Sequence, residues 1–263
     1  MTDYAINYYE SDKKYLNRFS YWFGRVKNVE GLLLPESKVI TVPLAVFAAF
    51  VEDSVGENMG AIKHFVQTGI IPAMEGQHRW FMKNGCFSNK FDFQHCITNE
   101  YKALDDFIAI QYGSACLETG GISEIVLRNI IPWDARSTAT MYAGMPLRPE
   151  ARVFYDFDER KLLYSVNYWD FETVRPHLSD KTDAIVFDAV GMELESGYRN
   201  SKERVEQAVS KAMCGVDLSG QWSVDVLIDG KERLWLIDMA IAQRSTYWRG
   251  GKNDFIDVDM YEK

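Results

Sequence analysis

Histidine and cysteine are scarce, with four of each in 263 residues. The histidines (His64, His78, His95 and His177) have no zinc-ligand spacing. The cysteines (Cys86, Cys96, Cys116 and Cys214) include no C-x-x-C pair and read as buried free thiols of a reducing compartment. His95 and Cys96 are neighbours, and neighbours on a strand point to opposite faces, which argues against a Cys–His hydrolase. Positive charge is in deficit: Lys plus Arg is 29 against 38 Asp plus Glu, a formal net charge of -9. No overall field draws a polyanion, which leaves nucleic acid only a local patch. Long apolar runs are missing. The longest, Val42 to Val51, contains Pro43 and is too short for a bilayer span. The start, Met1-Thr2-Asp3-Tyr4, lacks the basic and apolar stretches of a signal peptide. These absences predict a soluble, cytoplasmic protein. The Walker pattern G-x-x-x-x-G-K-[ST] is absent too.

What is present is a globular balance: 47% hydrophobic, 14% aromatic and 25% charged residues. That excludes wholesale disorder and supports a sizeable core. Apolar spacing predicts a helix over residues 12–27, with Tyr15, Leu16, Phe19, Trp22, Phe23 and Val26 on one face. Further helices are expected over 43–53, 57–67 and 99–111, the last from an Asn cap, and over 201–213 with Ser201 as cap. Strands are expected at Lys38 to Val42, Trp80 to Lys83, Glu124 to Leu127, Ala151 to Tyr155, Leu162 to Tyr168, Trp222 to Ile228 and Leu234 to Asp238. Asp229-Gly230 is the strongest hairpin signal. The polar, acidic tail after Gly250-Gly251 reads as frayed. Strand pairs with helices on one side predict an α+β fold, not a doubly wound parallel sheet.

Three constellations carry chemistry. A four-residue loop at 229–232 would pair Leu227 with Leu234, Asp225 with Leu236 and Ser223 with Asp238. Asp225 and Asp238 then share a face diagonally, roughly 7–8 Å apart at their α-carbons. That face would carry Leu227, Leu234 and Leu236 and no Lys or Arg from either strand, so a Mg²⁺ or Mn²⁺ ion would relieve the repulsion. A solvated hairpin face fits the same pattern. Next, Lys83 and Lys90 flank the small-residue loop Asn84-Gly85-Cys86-Phe87-Ser88-Asn89, whose amides could hold phosphate oxygens; two surface lysines fit equally. Finally, Glu150 and Arg152 point to one face of a strand, where Arg152 could fork onto a phosphate or simply pair with Glu150.

In this order the pieces resemble the ATP-grasp superfamily. The branch they resemble contains the cell-division-cycle protein D123 and related viral and bacterial proteins. The matching segments are Phe81-Met82-Lys83 with Phe87-Ser88-Asn89-Lys90, then Ile125 to Pro132, Pro149 to Phe154, Tyr168-Trp169, Ser223 to Val226 and Leu234 to Asp238. The resemblance implies two lobes with mainly antiparallel sheets clasping a nucleotide. It divides the chain into an N-terminal helical region (1–78), a small lobe (79–131) and a large lobe with the metal hairpin (132–263).

ATP and Mg²⁺ or Mn²⁺ would be the cofactors. Lys83 and Lys90 would contact phosphates, with Lys90 and Arg152 catalytic. Arg128, Asn129 and Ile131 would belong to a linker reading the adenine edge. Glu150 would orient Arg152, and Asp225 and Asp238 would hold the metal. The implied activity is that of a ligase: a carboxylate activated as an acyl phosphate and attacked by an amine or other nucleophile. Arg244, Ser245 and Trp169 would lie near the acceptor. The alternative is an ATP-binding assembly factor for a protein partner, with little turnover. An RNA ligase or nucleotidyltransferase is a third reading, but Lys90-Phe91-Asp92-Phe93 does not complete K-x-D-G. The family's metal strand ends in an acidic residue, a spacer and Asn, whereas here the last position is Ala240, with Gln243 or Ser245 as substitutes.

Overall fold

The computed structural model describes residues 1–76, 78–86, 89–116, 122–134, 136 and 138–250. Phe87, Ser88 and the acidic tail lie outside the described residues. The described residues form two compact units: Met1–Tyr21 with Glu36–Ile130, and Trp22–Pro35 with residues 131–250.

In the first unit, α1 (Asp3–Asp12) starts where the Thr2 hydroxyl accepts from the Ala5 amide. The helix expected over 12–27 is interrupted. Residues 13–18 form turns, and α2 is Phe19–Val26, whose residues from Trp22 on belong to the second unit; the Phe19 amide donates to the Gly85 carbonyl instead of continuing a helix from residue 12. Next come β1 (Ser37–Thr41), α3 (Leu44–Val51), α4 (Met59–Phe65), β2 (Trp80–Asn84), β3 (Ile97–Thr98), α5 (Ala103–Cys116) and β4 (Glu124–Arg128). The Asn99 carboxamide does cap, but it caps the turn at Tyr101 and Lys102 that precedes α5. The sheet order is β1-β4-β2-β3, with every pair antiparallel. Strand alternation sends Trp80, Met82, Ile125 and Leu127 to one face, where they join Val46, Phe47, Phe50, Ile62, Ile70 and Phe107 in one core. A boundary at residue 78 therefore does not separate packing, because residues from both sides of it fill the same core.

In the second unit the strands are β5 (Glu150–Asp156), β6 (Lys161–Asn167), β7 (Gln221–Ile228) and β8 (Leu234–Ile241). They order as β8-β7-β5-β6, all antiparallel. The Leu33 backbone bonds to β8 at its outer edge, donating to the Leu234 carbonyl and accepting from the Leu236 amide. That protects an otherwise open strand. Between β6 and β7 runs α6 (Lys181–Met213). It begins at Lys181, twenty residues before Ser201, and is capped by Asp180, whose carboxylate accepts from the Thr182 and Asp183 amides. Val205, Val209 and Ala212 lie on one buried stripe that continues backward through Ser201, Tyr198, Leu194, Gly191, Phe187 and Ala184. Ser201 is thus an interior residue of one long helix and caps nothing. Among the described residues no helix is long and apolar enough to cross a membrane.

Candidate functional site

The hairpin differs from the expected register. Five residues, Asp229 to Arg233, link β7 to β8, and Leu234 pairs with Ile228. The buried Asp229 carboxylate sets this loop. Its Oδ1 accepts from the Lys231 and Arg233 amides (both 2.9 Å), and its Oδ2 accepts from Arg233 Nε (2.7 Å) and Trp235 Nε1 (2.9 Å). Glu232 takes the left-handed conformation, φ 60°. Farther along, Val226 pairs with Leu236 and Asp225 with Asp238, so Ile237 is an extra residue on β8. Asp225 and Asp238 stand directly opposite, not diagonal, at the ~4.5–5.5 Å α-carbon spacing of a facing pair. They do share a face, as expected, but Leu234 and Leu236 lie on the other one. On the aspartates' face are Ser223, Leu227, Trp235 and Ala240.

Register with β5 brings Glu150 opposite Leu227 and Arg152 opposite Asp225. One face of this sheet is therefore the core side, with Ser165 bonded to Glu206 and Asn167 to Glu195 of α6. The opposite face gathers Glu150, Arg152, Asp225 and Asp238.

Arg152 corrects the metal expectation for Asp225. The local absence of a cation on β7 and β8 is made good from β5. Arg152 Nε donates to Asp225 Oδ1 and Nη2 to Oδ2, each at 2.7 Å, in a bidentate pair that is 11% and 7% exposed. The guanidinium also lies 4.8 Å from the Tyr168 ring centroid and donates from Nη1 to the Thr246 carbonyl (3.3 Å). Burial acts to lower the Arg152 pKa, but the Asp225 carboxylate outweighs it and the pKa is raised. Burial, reinforced by Glu150, pushes the Tyr168 hydroxyl well above its usual range. Asp238 Oδ1 accepts from the Met239 amide at 3.1 Å.

With both Asp225 oxygens held by Arg152, the donor set as arranged does not fit a divalent cation. Among the described residues no group of three or more His, Cys, Asp or Glu side chains is disposed to hold one. Ser245 bonds the Ser223 hydroxyl (2.6 Å). Trp169 is 3% exposed and packs against Phe187.

In the first unit, Lys83 pairs with Val126 and Arg128 with Phe81, which puts both cations on the sheet face opposite the core. Lys83 is 3% exposed and is not a surface lysine. Arg128, 5% exposed, lies 5.3 Å over the Phe19 ring. Lys90 opens a short 3₁₀ turn and sits 5.4 Å over the Phe91 ring. Gly85 serves a close approach: a Cβ there would meet Glu124 Oε1 at 2.4 Å. In the expected linker, Leu127 and Arg128 belong to β4, and the Asn129 amide and carboxamide bond to Glu36. The Ile131 carbonyl accepts from Arg148 (3.5 Å). Sequence reading missed Thr246 and the bonding of Tyr168 to Arg152. Tyr168 is visible as the aromatic after β6, but no local signal marks the Thr246 carbonyl, distant in sequence, that accepts from Arg152.

This is an α+β chain of two units, each with an antiparallel sheet, the second carrying a charged cluster on the face away from its helix. A scan against protein-family models finds no match, and a search of curated proteins finds none either. Among solved structures, Cdc123 from Schizosaccharomyces pombe matches at TM-score 0.51 and 13% identity, over 96% of this chain and 93% of that one. The C-terminally truncated form of the same protein matches at TM-score 0.52 and 14% identity, over 100% and 95%. The chain has the Cdc123 fold, and the resemblance read from its motifs is borne out at that level. A biotin carboxylase domain from Hydrogenobacter thermophilus, in complex with MgADP, matches at TM-score 0.42 and 10% identity, over 86% of this chain and 39% of that one.

Proposed function

We propose that the protein binds ATP and is built for ATP-grasp chemistry. The observation that carries this reading is Arg152 set among Glu150, Asp225 and Asp238 on the sheet face that α6 leaves uncovered. A buried guanidinium with three carboxylates on neighbouring positions contributes nothing to the apolar core, and its planar fork matches phosphate oxygens. Arg152 would bind the phosphate chain and stabilise charge on a transferred phosphoryl group. Tyr168 and Glu150 would hold its plane. Lys83, Lys90 and Arg128 are assigned to the nucleotide by the family resemblance, as are Asn129 and Ile131. Mg²⁺ or Mn²⁺ would accompany the nucleotide's phosphates and supply Lewis-acid charge stabilisation; the Asp225 and Asp238 carboxylates as arranged offer it no site. The class of reaction is activation of a carboxylate by ATP for attack by an amine or other nucleophile.

A second reading is favoured by the Arg152–Asp225 pair and by Ala240 at the third ligand position. In that reading ATP is held with little turnover and orders a surface for a protein partner. One assay separates the two: nucleotide products measured with and without Mg²⁺ on a panel of carboxylates, amines and peptides. ADP release that depends on a panel member supports the ligase. Tight ATP binding without product supports the binding protein. AMP with a lysyl adduct contradicts both.

A further inference from the structure

β8 ends at Ile241, and the chain turns back through the short 3₁₀ turn Ala242–Arg244. Residues 245–249 then run as a strap over the charged face of the second sheet, touching β7, β5 and β6 in turn. The Ser245 hydroxyl meets that of Ser223 on β7 at 2.6 Å. The Thr246 carbonyl accepts from Arg152 Nη1 on β5 at 3.3 Å. The Tyr247 hydroxyl donates to the Tyr168 carbonyl (2.9 Å). One hydroxyl on β6, that of Tyr164, donates to the Tyr247 carbonyl (3.2 Å) and accepts from the Arg249 amide (2.8 Å). The Trp248 ring lies 5.3 Å from that of Phe154 and stacks on that of Tyr164 at 6.3 Å. Tyr247 sits at φ 74°, a left-handed conformation unfavourable for a bulky residue, so these anchors hold a strained segment that release would relax.

The strap bears on Arg152 through its donors. A guanidinium presents its N–H groups in a planar fork, and Asp225 takes the Nε–Nη2 edge. The edge left for a second bidentate acceptor is the Nη1–Nη2 end, where the Thr246 carbonyl already sits on Nη1. A phosphate oxygen arriving there meets a carbonyl oxygen, and two acceptors at one donor group repel. Resting on the ATP-binding reading above, we infer that residues 245–249 are an autoinhibitory strap, which covers Arg152 while docked and which a polyphosphate must lift to reach the guanidinium. Asp225 stays on Arg152 throughout. Strap docking and polyphosphate binding oppose each other, so loosening the strap raises the fraction of protein competent to bind.

The test loosens the strap without touching Arg152. Tyr164→Phe keeps the ring and removes the hydroxyl that anchors the strap twice, and Trp248→Ala removes the stacked ring. In millimolar Mg²⁺ both variants should bind ATP about fivefold more tightly than wild type. In wild type, ATP should speed hydrogen exchange of the backbone amides of residues 245–249, where a ligand that the strap closes over would slow it. Without nucleotide, phenylglyoxal should modify Arg152 faster in both variants than in wild type, read by peptide mass spectrometry. ATP that binds and slows the exchange of these amides, or leaves it unchanged, overturns the strap. So does equal or weaker ATP binding by the folded variants. If wild type takes no ATP, the parent reading fails, and phenylglyoxal still decides whether the strap covers Arg152: equal modification in all three proteins refutes it.

Discussion

Asp225 and Asp238 face each other across the β7–β8 hairpin because one extra residue, Ile237, interrupts the pairing between Leu236 and Asp238. If Ile237 were paired in regular register it would face Asp225, and Asp238 would fall opposite Val224 on the apolar face beneath α6. A bulge of this kind re-aims one side chain at the cost of local pairing. Two facing carboxylates repel, and Arg152 relieves the repulsion by binding one of them.

The two aspartates should therefore respond unequally to substitution. Asp225→Ala strands a buried guanidinium and should cost about 3–5 kcal/mol. Asp238→Asn removes a like charge beside Asp225 while keeping a side-chain oxygen for the Met239 amide, and should change stability by less than about 1 kcal/mol. Urea unfolding of both variants measures the contrast. Equal losses would mean that Arg152 does not depend on Asp225.

Asp229 should govern acid sensitivity of the hairpin. Burial acts to raise its pKa, but hydrogen bonds from Trp235, the Arg233 and Lys231 amides and the Arg233 guanidinium outweigh burial and bring it to about 2. The folded value lies below the ~3.9 of an unfolded aspartate. Its stabilisation is complete above the unfolded pKa and is lost as pH falls through the folded one. Asp229→Ala should cost about 2–4 kcal/mol at neutral pH. Between about pH 4 and pH 2 it should lose less further stability than wild type does. A parallel decline of the two over that interval would show that Asp229 is not the responsible group.

Gly85 should be intolerant of a side chain. An added methyl group would lie 2.4 Å from Glu124 Oε1, and Glu124 is buried with that oxygen accepting from the Ser20 amide. Gly85→Ala should cost about 1–3 kcal/mol by overpacking. A melting temperature equal to wild type would mean that Glu124 moves aside freely.

Lys83 and Lys90 should separate binding from stability. Lys83 is buried on β2, so Lys83→Ala would lose stem packing along with charge. Lys83→Met keeps the stem and should weaken ATP binding by about tenfold or more while holding stability within about 1 kcal/mol. Lys90→Ala should weaken binding too. Calorimetry on these variants that gives wild-type affinity would remove both lysines from the phosphate contacts.

Much of the second unit was legible because its signals are local. Alternation located β5 to β8, and Asp229-Gly230 located the hairpin. The exact register was not, because it depends on how Asp229 folds its loop and on an unmarked extra residue at Ile237. A longer loop and a bulge offset each other in parity. That is why both aspartates share a face although the expected pairings were wrong. The Arg152–Asp225 bond was illegible in either strand of the hairpin, since the cation arrives from β5 through pairing between segments far apart in sequence. For α6, the Ser201 signal was read as a cap because the weaker apolar stripe before it was not followed back to Asp180. Residue type alone left Lys83 open between a surface lysine and a phosphate contact; its neighbours in the sheet bury it.

The central claim is ATP binding, and isothermal titration of wild-type protein with ATP in millimolar Mg²⁺ tests it most directly. Saturable binding with a dissociation constant in the micromolar range, weakened at least about tenfold in Arg152→Ala, is the expected result. No heat and no competition by ATP up to millimolar concentration, with the protein folded, would contradict it.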